Sequence, residues 1–401
     1  MENSTQAVKY VKTNGFRLSC PIRKVSASLS RKQSDSSLNG FSDQKNREKK
    51  SASYRTARYT TLLEGKGSYM KESKLGVTGA SLARCKTFLN SEQTVSKDSL
   101  FRDDLFQATC DKVQDRNEAR VIRSITPYIV PSAEDLETLG ATHLEHLIEG
   151  VNEYWTGNIA VKGSLPRPDY SVGFRRSAFI DEQLKKLDSL IGSVFENSLF
   201  VATYRMYFPF FTCEVKCDAA ALDIADRQNA HSMTVAVRAL VQLYKAVKRE
   251  KELHQEILAF SISHDHRSVR IYGHYAIVEG DKTTFYRHPI HTFDFTALNG
   301  KDKWTTYKFT KNVYNTWMSI HHKRICSAID DLPPDIDFSL SQSASFSQSG
   351  SQSSQQSNVE FTLMDEDDSS SQEVTSTTSF TQTIERASKK PRNQGAAKQQ
   401  R

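Results

Sequence analysis

The chain has 401 residues and a formal net charge of +7, and its large apolar residues are concentrated in the middle of the sequence. No run reaches the 18 apolar residues of a membrane-spanning helix, and no N-terminal apolar run reaches signal-peptide length, which argues against membrane and secreted classes. The six cysteines show neither CxxC nor paired spacing and indicate reduced thiols. These features predict a cytosolic or nuclear protein, and a basic string near the C-terminus favours the nucleus, with the cytoplasm as the alternative location.

Composition divides the chain into three parts. Residues 1–108 are basic and rich in Ser, and they predict a disordered arm suited to nucleic acid or another polyanion. Residues 109–335 hold most of the large apolar residues and predict one folded domain. Residues 336–401 predict a disordered Ser/Gln-rich tail, and the basic string at 388–392 within it resembles a nuclear import signal.

The first half of the predicted domain opens with two helices. Apolar residues recur at helical intervals in RNEARVIRSITPYIV and again in SAEDLETLGATHLEHLIEGVNEYW. A strand follows in PRPDYSVGF and a short helix in DEQLKKLDSLIG, and SLFVATYRMYFPFFTCEVKC predicts two further strands.

The second half begins with the longest predicted helix, ADRQNAHSMTVAVRALVQLYKAVKREKELHQ. Two strands around a polar turn follow in EILAFSISHDHRSVRIYGHYAIV, then a strand in TTFYRHPIHTFDF and a closing helix. The resulting order predicts an α/β fold in which helices flank a mixed sheet, with disordered N- and C-terminal tails.

Two short motifs point to chemistry. Pro168 and Asp169 stand at the head of one predicted strand, and Glu214, Val215 and Lys216 lie within a later one. Because side chains alternate along a strand, Glu214 and Lys216 project from the same face. Asp169 and Glu214 supply oxygen ligands that suit Mg²⁺, and Lys216 would orient water or stabilise negative charge during phosphodiester hydrolysis.

Simpler interpretations exist for each polar feature. An ExK triplet and a Pro-Asp turn both occur by chance. The run from His264 to Arg267 offers metal ligands but favours a hairpin turn, and the aromatic residues in 204–211 favour core packing over a base-stacking platform. The basic helix face that includes Arg238 suits either phosphate tracking or solvation.

The chain resembles an uncharacterised family of fungal proteins over about residues 116–332, in the stretches PRPDYSVGFRRSAF, RMYFPFFTCEVKC, ADRQNAHSMTVAVRAL, ILAFSISHDHRSVRIYGHY and TTFYRHPI. The core of that family is similar to PD-(D/E)XK nucleases. The resemblance implies that Asp169 and Glu214 bind the metal, that Lys216 is the catalytic lysine, and that Gln228 lies on a helix near the site.

The resemblance also implies an acidic residue from the first helix, for which Glu118 and Glu149 are both candidates. The chain departs from the nuclease pattern in the 44 residues that separate Asp169 from Glu214.

Two functions therefore remain open. The first is a Mg²⁺-dependent nuclease that hydrolyses DNA or RNA. The second is a catalytically inactive nuclease-like fold that acts as a nucleic-acid-binding or protein-binding scaffold.

Overall fold

A computed structural model describes residues 52–159, 161, 165–191, 197–217 and 222–333. Helices flank a seven-stranded mixed sheet in the order β1-β7-β6-β5-β4-β3-β2, which confirms the predicted α/β class. The strands are β1 Ser68–Tyr69, β2 Leu147–Val151, β3 Tyr170–Phe174, β4 Tyr207–Val215, β5 Ile257–His264, β6 Ser268–Glu279 and β7 Lys282–Asp294. The regular α-helices are α1 Arg58–Glu64, α2 Gly79–Asn90, α3 Asp103–Val113, α4 Glu118–Ser124, α5 Thr126–Ile129, α6 Ala133–Thr138, α7 Asp181–Ile191, α8 Leu222–Ala246, α9 Thr305–Asn312 and α10 Met318–Asp330. A further helical turn, Ala297–Gly300, contains two residues with non-helical backbone angles.

Strands β4 and β5 form the centre of the sheet. Every residue in both strands is buried, as expected for apolar strands that are covered on both faces. They pair in parallel, and β1 with β7 is the other parallel pair among the described strands. The antiparallel neighbours β3 and β6 extend the sheet on either side.

The long helix α8 covers one face of the two central strands. Asn229 of this helix accepts a hydrogen bond from Thr212 Oγ1 at 2.7 Å and donates through Nδ2 to the Ile262 carbonyl at 2.9 Å. The opposite face packs against the C-terminal helical run, where the ring of Trp317 lies 5.0 Å from that of Phe260. This three-layer arrangement buries both faces of the central strands.

The folded part begins earlier than the sequence predicts. Residues 52–108, expected to be disordered, contain α1, α2, the start of α3 and strand β1, which pairs with β7. Phe101 is fully buried and its ring lies 5.5 Å from that of Trp304 and 5.9 Å from that of Phe295. The apolar residues of this segment are too widely spaced in the sequence to give a periodic signal. They are buried because they pack against residues far away in the sequence, such as Phe295 and Trp304. The remaining predicted arm, 1–51, and the predicted tail, 336–401, lie outside the described residues.

Two predicted elements differ in the structure. The second opening helix ends at Thr138, and Leu147–Val151 is instead strand β2, which pairs antiparallel with β3. The stretch expected to give two strands before Lys216 gives β4 and, within the described residues, an isolated bridge between Val201 and Tyr207. In both cases pairing with distant strands overrides the local apolar spacing.

Phe101→Ala should lower the free energy of unfolding by about 3–5 kcal/mol, because it leaves a cavity among aromatic rings. The neighbouring exposed Leu100 offers a matched control, and Leu100→Ala should change stability by less than about 0.5 kcal/mol. Urea unfolding of the full chain measures both values. Equal, small effects would contradict a structured segment before residue 109.

Several histidines are buried in this fold. Burial lowers the pKa of His231 to about 4 and that of His274 to about 3. His231 Nδ1 lies 2.9 Å from Tyr54 Oη, and His274 Nε2 lies 2.7 Å from Ser261 Oγ. Both rings are therefore neutral in the folded protein at pH 7.

The stability of the fold should fall as the pH is lowered from 7 to 5. A histidine whose pKa is lowered by folding stabilises the protein fully above its unfolded pKa of 6.5, and this stability is lost as the pH falls below that value. At pH 5 the loss is roughly 2 kcal/mol for each of His231 and His274. His231→Gln should remove its share of the decrease, whereas replacing the exposed His143 with Gln should not. Urea unfolding at both pH values tests this, and an identical decrease in the His231 variant would refute it.

Candidate active site

The predicted acidic residues meet at one end of the sheet. β3 and β4 pair with Tyr170 opposite Cys213, and one further step along this register places Asp169 opposite Glu214. The backbone amide of Val215 donates to Asp169 Oδ2 at 2.9 Å. Asp169 thus lies at the head of β3 and against the last residues of β4, as the sequence motif predicts.

Glu214 lies on the face of β4 that helix α8 covers, because it follows Thr212 by two residues and Thr212 contacts Asn229. The site is deeply enclosed: Asp169 is 4%, Glu214 1% and Lys216 3% exposed. Burial of charged groups costs several kcal/mol unless they are paired or bind a ligand. The arrangement therefore needs charge compensation within the site.

Lys216 supplies part of that compensation. Its Nζ donates to the Val215 carbonyl at 2.7 Å and lies 3.5 Å from Glu118 Oε1 and 4.0 Å from Glu214 Oε2. Its backbone amide donates to the carbonyl of His264 at 2.9 Å, which anchors the end of β4 to β5. The ammonium group is therefore held between two carboxylates and a carbonyl.

The geometry distinguishes between the two candidates for the first-helix acid. Glu118 opens α4 directly after Asn117, whose side chain caps the helix by accepting from the amide of Arg120. Glu149 instead lies in β2 opposite Val172, on the other face from Asp169, and accepts from Tyr170 Oη at 2.9 Å. Glu118, and not Glu149, contacts Lys216. Sequence reasoning left both open because it assigned Glu149 to a helix.

Gln228 lies on α8 as predicted, immediately before Asn229, and is buried. Among the described residues, neither Nε2 nor Oε1 of its amide has a hydrogen-bond partner. The structure therefore does not bring Gln228 into hydrogen-bonding contact with Asp169, Glu214 or Lys216. Its orphaned buried amide is nevertheless unusual, because most buried polar groups are satisfied.

The run from His264 to Arg267 forms the turn that the sequence favours. Asp265 Oδ1 accepts from the backbone amides of Arg267 and Ser268, both at 2.7 Å, and β6 begins at Ser268. The imidazole of His264 lies 2.9 Å from Thr126 Oγ1, and burial lowers its pKa. These contacts give the run a structural role beside Lys216.

The donor set at this end of the sheet consists of oxygens. Asp169, Glu214 and the carbonyl of Val215 match the hard ligands of Mg²⁺, which commonly binds to one or two carboxylates together with waters and substrate phosphate. Within the described part of the chain, no group of three or more His, Cys, Asp or Glu side chains is arranged to hold a metal ion. These oxygen atoms are the groups at this end of the sheet that could hold a cation.

The sequence of the folded domain matches one known protein family. A family model described as "Domain of unknown function (DUF7924)" matches residues 105–329, more than half of the chain, and the protein belongs to this family. No curated protein and no solved structure matches the chain. The fungal origin and the nuclease-like core that the sequence resemblance implies therefore remain predictions.

None of the described helices is long and apolar enough to span a bilayer.

Lys216→Met should lower the free energy of unfolding by roughly 3–5 kcal/mol, because Glu214 would stay buried beside Glu118 without the ammonium group. The double variant Lys216→Met/Glu214→Gln should regain part of that loss, since it also removes the buried carboxylate. Urea unfolding of the two variants and the unaltered protein at pH 7 measures the difference. A double variant no more stable than the single one would contradict the assigned charge compensation.

Proposed function

We propose that the protein is a Mg²⁺-dependent nuclease that hydrolyses phosphodiester bonds of DNA or RNA. The observation that supports this most directly is the convergence of Asp169, Glu214, Lys216 and Glu118 at one end of the sheet. Buried ionisable side chains that meet in one place are candidates for a functional site. The sequence resemblance to PD-(D/E)XK nucleases supports the same interpretation.

In this proposal Asp169 and Glu214 bind the cation, together with the carbonyl of Val215. The bound Mg²⁺ would neutralise charge on the scissile phosphate. Lys216 orients the attacking water and stabilises the negative charge that develops on the phosphoryl oxygens. Glu118, the most exposed of the four side chains, is 19% exposed and holds the ammonium group in place from the side of α4.

Gln228 has a supporting role in this proposal. Its orphaned amide lies on α8, the helix that covers the face of Glu214. A buried amide with unused donors and acceptors suits a contact to a substrate oxygen or to a water.

A second candidate is a nuclease-like scaffold that binds nucleic acid or protein without cleaving. The low exposure of Asp169, Glu214 and Lys216 favours it, because a scissile phosphate must reach these groups. In either case we place the protein in the nucleus. The basic string at 388–392 that motivates this location lies outside the described residues.

The direct test incubates the full chain with labelled single-stranded and double-stranded DNA and RNA, in Mg²⁺, Mn²⁺ or EDTA. We expect metal-dependent cleavage that falls on the order of 100-fold in Asp169→Asn, because the cation loses a carboxylate. Glu118→Gln should also lower cleavage. Glu149→Gln is the matched control, because its carboxylate lies on the opposite face, and it should cleave normally.

Folding is checked by circular dichroism for each variant, and Mn²⁺ binding is measured by calorimetry. Cleavage that persists undiminished in Asp169→Asn and Glu118→Gln would overturn the site assignment. A folded protein that binds oligonucleotides but neither binds Mn²⁺ nor cleaves would overturn the nuclease proposal and support the scaffold.

A further inference from the structure

Two exposed tyrosines, each with an arginine at its ring, lie on the segment that follows β2 and on the loop that precedes β4. Tyr204 is 72% exposed and Tyr154 is 44% exposed, although large aromatic side chains are usually mostly buried. The guanidinium of Arg205 lies 5.2 Å from the ring centroid of Tyr204, and that of Arg167 lies 4.6 Å from that of Tyr154. We call these four side chains the tyrosine–arginine surface.

The Tyr154 part of this surface is joined to Asp169 through the backbone. Val151, the last residue of β2, pairs with Tyr170, and the next amide, that of Asn152, donates to the carbonyl of Asp169 at 2.9 Å. The Nε of Arg167 donates to the carbonyl of Asn152 at 3.0 Å. Tyr154 therefore lies two residues beyond the point at which β2 contacts the candidate metal ligand.

The Tyr204 part is joined to the same face of the sheet. Arg205 lies 3.5 Å from Glu153, so the loop before β4 touches the segment that carries Tyr154. Met206 follows and packs over β3: its sulfur lies 3.9 Å from Ser171 Oγ, and its Cγ would lie 2.6 Å from a Cβ at Gly173. Ser171 projects from the same face as Asp169, because the two are two residues apart. The segments that carry the two tyrosines thus border the face on which Asp169 and Glu214 lie.

The chemistry of the surface suits a partner that combines flat rings with negative charge. An exposed tyrosine ring offers a face for stacking, and an arginine beside it adds a positive charge and a planar group. Arg205 is paired with the carboxylate of Glu153. Arg167 instead contacts the carbonyl of Asn152 and the ring of Tyr154. Nucleic acid supplies both bases and phosphates, and only unpaired bases present their faces to protein side chains.

We propose that the tyrosine–arginine surface binds single-stranded nucleic acid, with bases stacked on Tyr154 and Tyr204 and adjacent phosphates on Arg167 and Arg205. This inference rests on the proposed nuclease function, because the strand would be the substrate whose scissile phosphate enters the site at Asp169. It makes single strands or unpaired ends, rather than intact duplex, the preferred substrate. The bases that stack would flank the cleaved bond.

Binding can be measured separately from cleavage. Fluorescence anisotropy of the full chain with labelled oligo(dT), oligo(rU) and a DNA duplex, all in EDTA, reports affinity without hydrolysis. The double variant Tyr154→Ala/Tyr204→Ala should bind both single strands at least about 30-fold more weakly, because stacking contributes about 1–3 kcal/mol per base and two bases lose their partner rings. Tyr154→Phe/Tyr204→Phe retains both rings and should bind within about twofold of the unaltered protein.

Salt dependence and a matched exposed residue complete the experiment. Arg205→Gln should reduce the slope of log affinity against log salt by about 0.7, the value for one phosphate contact on a single strand. Leu139 is 83% exposed and follows α6, near the opposite end of β2, so Leu139→Ala should leave binding unchanged. Similar losses of affinity for oligo(dT) and oligo(rU) in the double alanine variant would mean that the surface accepts both sugars. A loss of affinity for one of them would identify the substrate, and either result supports the proposal.

The outcomes separate this inference from the proposed function. The surface is not a single-strand site if the double alanine variant binds single strands as well as the unaltered protein. The same conclusion follows if duplex binds the unaltered protein as tightly as single strands do and its affinity falls by the same factor in the double alanine variant. Metal-dependent cleavage that is lost in Asp169→Asn alongside such a result would leave the nuclease proposal standing. Weaker single-strand binding in the alanine variant of a protein that never cleaves would instead support the surface and refute the nuclease.

Discussion

The pairing of β4 with β3 on one side and β5 on the other is the constraint on which the core and the candidate site both depend. Strand side chains alternate, so a slip of one residue would turn Glu214 to the opposite face of the sheet. Two hydrogen bonds secure the end of the strand, from the Val215 amide to Asp169 and from the Lys216 amide to the carbonyl of His264. The register therefore determines where the charges meet.

The charges themselves are placed where an apolar core would be more stable. Glu214 and Lys216 are almost completely buried, and a buried ion pair seldom stabilises a fold more than apolar residues of similar volume do. Lys216 and a divalent cation would share the carboxylate of Glu214. In the proposed nuclease, Glu214 would therefore interact less with Lys216 and more with the metal, and Lys216 would interact with the phosphate.

The aromatic residues in and before β4 differ in exposure. Phe210 and Phe211 are fully buried, as sequence reasoning favours for this aromatic run. Phe200 is also fully buried, whereas Tyr204, on the loop between Phe200 and β4, is exposed. A single aromatic-rich stretch thus supplies both core and surface, and the exposed ring lies between buried ones.

By itself, the sequence determined the α/β class, the long helix, the strand that contains Glu214 and the identity of the polar groups, because periodicity and residue type are local properties. Tertiary structure decided the rest. Glu149 lies away from Lys216 because β2 pairs with β3, and Glu118 contacts Lys216 instead. Residues 52–108 are folded because side chains such as Phe101 pack against Phe295 and Trp304. Contacts between residues far apart in sequence leave no periodic signal, so only the folded chain reveals them.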